Sequence, residues 1–210
     1  MCALPEELGS LRARASATLV RHGLEIFALD ELALPVLACA GGVGKVAAAR
    51  ASALLVAEGA DRALLVVGTC GGLRQSLAPG ALVHCTIAAQ VDLAVRTGRE
   101  VASDAELRAA WRAVAPGVEG WFLTADRPVL SLWRRLRLAR AFAGPCVADM
   151  ESAAAAVVAR AAGVPWAGLR AVTDRATWLG AAAFRANFGT QAGRAADTVP
   201  ALLSALRALR

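Results

Sequence analysis

The chain has 210 residues, of which 57% are hydrophobic and 19% charged, and its formal net charge is +6 at pH 7. This composition predicts a folded domain with a sizeable core and excludes a disordered chain. No apolar run reaches the roughly 18 residues of a membrane span, and Pro5, Glu6 and Glu7 stand where a signal peptide would be apolar, so we expect a cytoplasmic protein with no membrane partner.

The predicted elements alternate between strands and helices, which indicates an α/β fold. The first half of the chain begins with a helix from about Pro5, an antiparallel pair of strands at 24–30 and 34–40, a helix at 46–59, and strands at 63–67 and 81–89. A polar and then helical stretch at 96–115 follows, then a strand at 120–125, a helix at 130–143, a strand at 146–148, a helix up to 163 and a strand at 164–172. The chain ends in a helix at 181–210 that we expect to bend near Gly189 and to be interrupted at Pro200.

The basic charge comes from 22 arginines and one lysine, which are scattered along the chain. No strand combines basic and aromatic residues in a way suited to stacking bases, so we expect no nucleic-acid partner. The five cysteines form no CxxC pair and are predicted to be small buried residues in a reducing compartment. His22 and His84 belong to no cluster with metal-ligand spacing, and we expect neither a metal nor a cofactor.

Two glycine-rich segments follow predicted strands. Residues 41–45 read GGVGK and precede a helix, an arrangement that presents backbone N–H groups to an anion or to sugar hydroxyls. They do not form a Walker A loop, because its first glycine would fall at Cys39 and Val46 replaces its Ser or Thr. Residues 68–73 read GTCGGL, and we predict a turn where the backbone approaches a ligand closely.

Two carboxylates stand at the ends of predicted strands in residues 146–176. We interpret this segment as strand, helix, strand with both strands parallel, so that Glu151 and Asp174 meet on one edge of the sheet. Such a pair suits cleavage of an N-glycosidic bond, since a carboxylate stabilises an oxocarbenium-like transition state and a partly desolvated acid protonates the leaving base.

Four segments together resemble the purine nucleoside phosphorylase/nucleosidase superfamily: GGVGKVAAA at 41–49, GTCGGL at 68–73, DMESAA at 149–154 and AVTDRA at 171–176. Their spacing is most similar to that of the methylthioadenosine/S-adenosylhomocysteine nucleosidases. The resemblance implies one domain over residues 1–210, a three-layer α/β/α fold with a mixed, mostly parallel central sheet, and a homodimer that acts on a small nucleoside.

The resemblance also implies roles for particular residues. Met150 and Glu151 would bind the ribose, with the glutamate holding the sugar hydroxyls. Asp174, beside Thr173, would protonate the purine at N7. Glu7 matches the glutamate that activates the water molecule.

Further site residues follow from the same match. Thr69 falls where the family has a hydroxyl near the nucleophile, and Gly71 lies in the same segment. Gly42 and Gly44, with Thr69, would form the site for water or phosphate. Phe184 matches an aromatic residue that lines the substrate site. The family's aromatic–aliphatic pair against adenine falls at Pro128 and Val129, so the stacking ring is absent.

Three functions remain open at this point. The first is a nucleosidase, in which water attacks C1′ of the ribose; its substrate is methylthioadenosine-like, futalosine-like or an adenosylhopane-like precursor. The second is a phosphorylase that uses phosphate at the 41–44 turn, although no arginine is placed there, which favours water. The third is a nucleoside-binding paralogue without catalysis, favoured by the missing ring and by the lack of the family's first strand before Glu7.

Overall fold

The computed structural model describes residues 1–95, 97–176 and 180–208. Its strands are β1 (Ala17–Arg21), β2 (Leu24–Leu29), β3 (Val36–Ala38), β4 (Leu64–Gly72), β5 (Leu82–Gln90), β6 (Glu100–Ala102), β7 (Val118–Thr124), β8 (Cys146–Asp149) and β9 (Trp166–Asp174). Its helices are α1 (Lys45–Ala57), α2 (Ala105–Val114), α3 (Leu132–Ala141), α4 (Ser152–Ala161), α5 (Gly180–Gln191) and α6 (Val199–Ala208), with 3₁₀ segments at Pro5–Arg14 and Ala196–Thr198.

The strands form two sheets. The smaller sheet is antiparallel, in the order β1-β2-β3. The larger sheet has the order β6-β5-β7-β8-β4-β9, and β5 also pairs with β9, so this sheet closes on itself. Its long parallel pairings are β4–β9, β5–β7 and β7–β8, and its shorter pairings are antiparallel. The expected mixed sheet is confirmed.

Helices cover both faces of the larger sheet and produce the three-layer α/β arrangement. Alternate residues of β4 face opposite sides, as the two-residue period of a strand requires. Val66 packs in the cluster that contains α1 and α4, whereas Val67 packs in the cluster that contains α2 and α6. β9 is buried along its whole length, which explains its continuous apolar sequence.

The N-terminal region contains more extended structure than the sequence predicts. Cys2 forms an isolated parallel bridge with Ala40, and the amino group of Met1 and the N–H of Cys2 donate to Leu65 O and Cys39 O at 2.9 Å and 3.1 Å. This bridge was not predicted, but among the described residues no strand precedes the Pro5–Arg14 segment, as expected from the sequence. β1 was also not predicted; it pairs with β2 through a turn at His22 and Gly23, both with positive φ.

The C-terminal segment is two helices, not one. The break lies between α5 and α6 rather than near Gly189 or at Pro200. A Cβ atom on Gly193 would lie 2.7 Å from Gly9 Cα, so the backbone turns where the two glycines pack together. Pro200 lies in the first turn of α6, where a missing N–H costs no helical hydrogen bond. β6 was also missed, because three residues are too short for a visible pattern.

Two predictions about the strands near the carboxylates are wrong. β8 and β9 are not parallel, because β4 lies between them, parallel to β9 and antiparallel to β8. The glycine segment at 68–73 is not a turn, since β4 continues through it to Gly72. Among the described residues, no helix is long and apolar enough to cross a membrane.

Candidate active site

A cavity of about 370 Å³ opens where β4, β8 and β9 end. Nine residues predicted for the site line it: Glu7, Thr69, Gly71, Val129, Met150, Glu151, Thr173, Asp174 and Phe184. The strand register at Gly71 brings together the two carboxylate segments among them. On one side this residue pairs with Asp174 of β9, and on the other with Ala148 of β8. The two carboxylate segments therefore meet, although by antiparallel pairing on one side rather than by the predicted parallel unit.

Glu7 is held at the cavity by four backbone or hydroxyl donors. It is 2% exposed. Its Oε1 accepts hydrogen bonds from Thr69 N at 2.7 Å and Thr69 Oγ1 at 2.8 Å, and its Oε2 accepts from Ala3 N at 3.0 Å and Leu4 N at 3.1 Å. Such charge-assisted bonds fix the position of a carboxylate strongly.

The close approach of Glu7 to β4 requires a glycine at position 68. Gly68 has φ +145°, and a Cβ atom there would lie 2.8 Å from Glu7 Oε1. The glycine segment thus performs the predicted task of admitting a close approach, but the group that approaches is a side chain of the protein itself.

Arg170 is a central residue of the site that the sequence reasoning missed. It is 1% exposed, and its Nε and Nη2 pair with Asp149 and Glu151, each at 3.1 Å. Its Nη1 donates to Thr69 O at 2.8 Å. Burial alone would lower its pKa, but these carboxylates outweigh that effect and raise it. An arginine within a fully buried strand was the available signal, because such a charge needs buried partners.

Asp149 anchors this arginine from the opposite side. Its side chain accepts a hydrogen bond from Thr124 Oγ1 and another from Ser152 N at 3.3 Å. Ser152 Oγ in turn accepts from Arg170 Nε at 3.2 Å. The guanidinium is therefore fixed on two edges, and one of those edges faces Glu151.

Glu151 is held between Arg170 and the 41–44 segment. Its Oε1 accepts a hydrogen bond from Gly44 N at 3.0 Å. Burial raises its pKa, an effect that Arg170 opposes. The N–H of Gly42 donates to Ala3 O at 3.0 Å. Both glycine N–H groups thus serve protein acceptors, and the geometry does not support their predicted role in binding phosphate or water.

Asp174 lies at the end of β9 beside an apolar wall. Its Oδ2 accepts from Thr173 Oγ1 at 2.9 Å and its Oδ1 accepts from Ala176 N at 2.6 Å. Burial raises its pKa above the ordinary range for aspartate, although these hydrogen bonds oppose the shift. A carboxyl group in this state suits proton donation to a leaving group.

The rest of the cavity is mainly apolar. Val129 is 5% exposed, and Leu130, which also lines the cavity, is 47% exposed at the mouth. Phe184 packs against Phe188, with ring centroids 4.9 Å apart. This wall suits a flat heterocycle and an apolar substituent, whereas the carboxylates on the other side suit hydroxyl groups and a developing positive charge.

Comparison with known proteins agrees with this geometry. Residues 1–208 match the sequence profile of the family described as the phosphorylase superfamily. A 5′-methylthioadenosine/S-adenosylhomocysteine nucleosidase of Shewanella baltica is 29% identical, with 73% of this chain and 72% of the relative covered.

Solved structures share the fold. The corresponding nucleosidase of Neisseria meningitidis, in complex with methylthio-immucillin-A, superposes with a TM-score of 0.89 at 24% identity, over 96% of each chain. A futalosine hydrolase mutant of Helicobacter pylori superposes with a TM-score of 0.88 at 18% identity, over 97% of this chain and 96% of the other. With its fold, its glycine segments and its carboxylate-lined cavity, the chain belongs to the phosphorylase superfamily.

Proposed function

We propose that the protein is a nucleosidase that hydrolyses the N-glycosidic bond of a purine nucleoside with a modified 5′ position and releases the free base and the ribosyl moiety. The observation that carries this proposal is the arrangement of Glu7, Glu151 and Asp174, three buried carboxyl groups on one cavity. Burial raises the pKa of Asp174, as a proton donor requires, whereas the charged form of Glu151, whose pKa burial also raises, is stabilised by Arg170.

Each group has one task in the reaction. Asp174 donates a proton to N7 of the purine as the bond between C1′ and the base breaks and its electrons move into the base. Glu151 accepts hydrogen bonds from the ribose hydroxyls, beside Met150. Water attacks C1′ and gives a proton to Glu7, which Thr69 holds in place. The negative charge of the carboxylates stabilises the oxocarbenium-like transition state.

Water is favoured over phosphate as the nucleophile. A phosphate site needs free donors, preferably a bidentate arginine. Among the residues that the structure describes, Arg170 is the arginine that lines the cavity, and it is already paired with Asp149, Glu151 and Thr69 O. Glu7 adds a further acidic group beside Thr69. A phosphate dianion at this position would meet like charge, whereas a neutral water molecule would not.

The substrate, the assembly and the location are part of this proposal. The named substrates of the relatives, which are methylthioadenosine, S-adenosylhomocysteine and futalosine, are the compounds to test first. A homodimer is supported by exposed apolar side chains, since Val43 and Leu130, which line the cavity, and Trp133 are 53%, 47% and 81% exposed. Five buried free thiols support a reducing, cytoplasmic location.

Base release from a panel of nucleosides, with and without phosphate, tests the proposal. The panel comprises methylthioadenosine, S-adenosylhomocysteine, adenosine, inosine and futalosine. We expect release without phosphate from at least one 5′-modified nucleoside. Release that depends on phosphate would assign a phosphorylase instead. Binding of a nucleoside without release of its base would assign the non-catalytic alternative.

A further inference from the structure

The only lysine of the chain stands in a charged cluster outside the cavity. Lys45 Nζ lies 2.8 Å from Asp92 Oδ1 and 3.2 Å from Asp126 Oδ2. Asp126 N donates to the other oxygen of Asp92 at 2.8 Å. We name these three residues the Lys45 clamp. The clamp joins the first residue of α1 to the segments that follow β5 and β7.

The clamp connects both sides of the active site. On the sugar side, the residue before Lys45 is Gly44, whose N–H donates to Glu151 Oε1. On the base side, Asp126 begins the segment that brings Val129 and Leu130 to the cavity. The proposed mechanism uses neither Lys45 nor its two partners, and none of the three lines the cavity.

A lysine suits this position better than an arginine. The chain otherwise uses arginine for its basic residues, 22 in all. An ammonium group is compact and has three donors on a flexible stem, so it fits between two carboxylates from different segments. Partial burial alone would lower the pKa of Lys45, but Asp92 and Asp126 raise it, so the group is charged at neutral pH.

We propose that Lys45 is a positioning residue, which sets the distance between the sugar-binding carboxylate and the base-binding wall by holding Asp92 and Asp126. This inference rests on the nucleosidase function proposed above. A small displacement of Gly44 would weaken its hydrogen bond to Glu151 and would widen the cavity between Val129 and the ribose site. The clamp therefore affects mainly the binding of the whole nucleoside.

The first test is Lys45→Met, which keeps the aliphatic part of the side chain and removes its charge. We expect KM for the substrate identified by the panel to rise about tenfold or more, with kcat reduced less than about threefold. Asp92→Asn should have a larger effect than Asp126→Asn, because Asp92 holds both Lys45 and the Asp126 amide. Lys45→Arg should recover part of the loss.

The matched control lies at the other end of the same helix. Arg21 Nε pairs with Glu58 Oε1 at 2.7 Å, just after the last residue of α1 and away from the cavity. Arg21→Met removes a partly exposed ion pair, and such pairs contribute little to stability. We expect its kinetic constants to match those of the wild type. An equal rise of KM in Arg21→Met and Lys45→Met would overturn the proposal.

Hydrogen exchange gives a readout that does not depend on catalysis. In Lys45→Met we expect faster exchange of the Gly44 amide and of residues 126–130, with unchanged exchange in β9. If the wild type releases no base from any nucleoside, the proposed function fails, while this exchange measurement still tests the clamp. Unchanged exchange in both segments, or an unchanged KM in a folded Lys45→Met protein, would refute the positioning role.

Discussion

Gly68→Ala is expected to separate the activity of this protein from its stability. The added Cβ would lie 2.8 Å from Glu7 Oε1 and 2.9 Å from Glu7 Cδ. These atoms belong to the end of a flexible side chain, so the fold accommodates the methyl group by moving the carboxylate. That movement breaks the hydrogen bonds of Glu7 with Thr69, which are 2.7 Å and 2.8 Å long.

Gly68→Ala should reduce turnover far more than it reduces the stability of the fold. A non-glycine residue at φ +145° costs about 1–3 kcal/mol of folding free energy. For a chain of this size that corresponds to a decrease in Tm of about 2–12 °C. Loss of a positioned general base reduces turnover by about 10²–10⁴-fold. We therefore expect a folded protein that has lost at least about 99% of its base release.

Thermal unfolding and base release by the same preparations test this expectation. Gly189→Ala is the matched control, because a Cβ there meets nothing within 4 Å and the residue lies inside α5. That change should leave turnover intact and stabilise the helix by about 0.5–1 kcal/mol. In a Glu7→Ala background, Gly68→Ala should cost less stability than in the wild type, because the added Cβ no longer meets the Glu7 carboxylate. Turnover of Gly68→Ala within about twofold of the wild type would refute the reasoning that Gly68 positions the base.

Three further outcomes are expected. Asp174→Asn should abolish base release in a folded protein, because an amide cannot supply the proton, and near wild-type turnover in this variant would exclude Asp174 as the acid. Turnover of the wild type should fall as pH rises above the pKa of Asp174, which burial raises. Glu151→Gln should weaken ribose binding and turnover together, and it should reduce the preference for ribo over 2′-deoxy substrates. If the wild type and Glu151→Gln each had identical kinetics on the two substrates, Glu151 would not belong to the sugar site. His84 is fully buried and burial lowers its pKa below 6.5, so the stability it contributes is present above that pH and is lost as pH falls toward its folded-state pKa. The urea midpoint of the wild type should therefore decrease from about pH 7.5 to about pH 5.5, and that of His84→Phe should decrease less. Equal decreases in the two proteins would contradict this role of His84.

The strongest sequence patterns led directly to elements and to site residues. The Ala-rich run after Glu151 gave α4, and the apolar run ending at Asp174 gave β9. These features depend on residues near one another in the chain, so their period and their composition are sufficient to identify them.

Only the tertiary structure decided which strands are neighbours and which charges meet. β4 separates β8 from β9, a pairing that no local pattern specifies. Arg170 pairs with Asp149 and Glu151 across two strands, and Glu7 reaches Thr69 from a segment 62 positions away. Helices and strands follow from short-range periodicity, whereas a catalytic geometry requires contacts between distant segments, and those contacts depend on the order and register in which the strands pair.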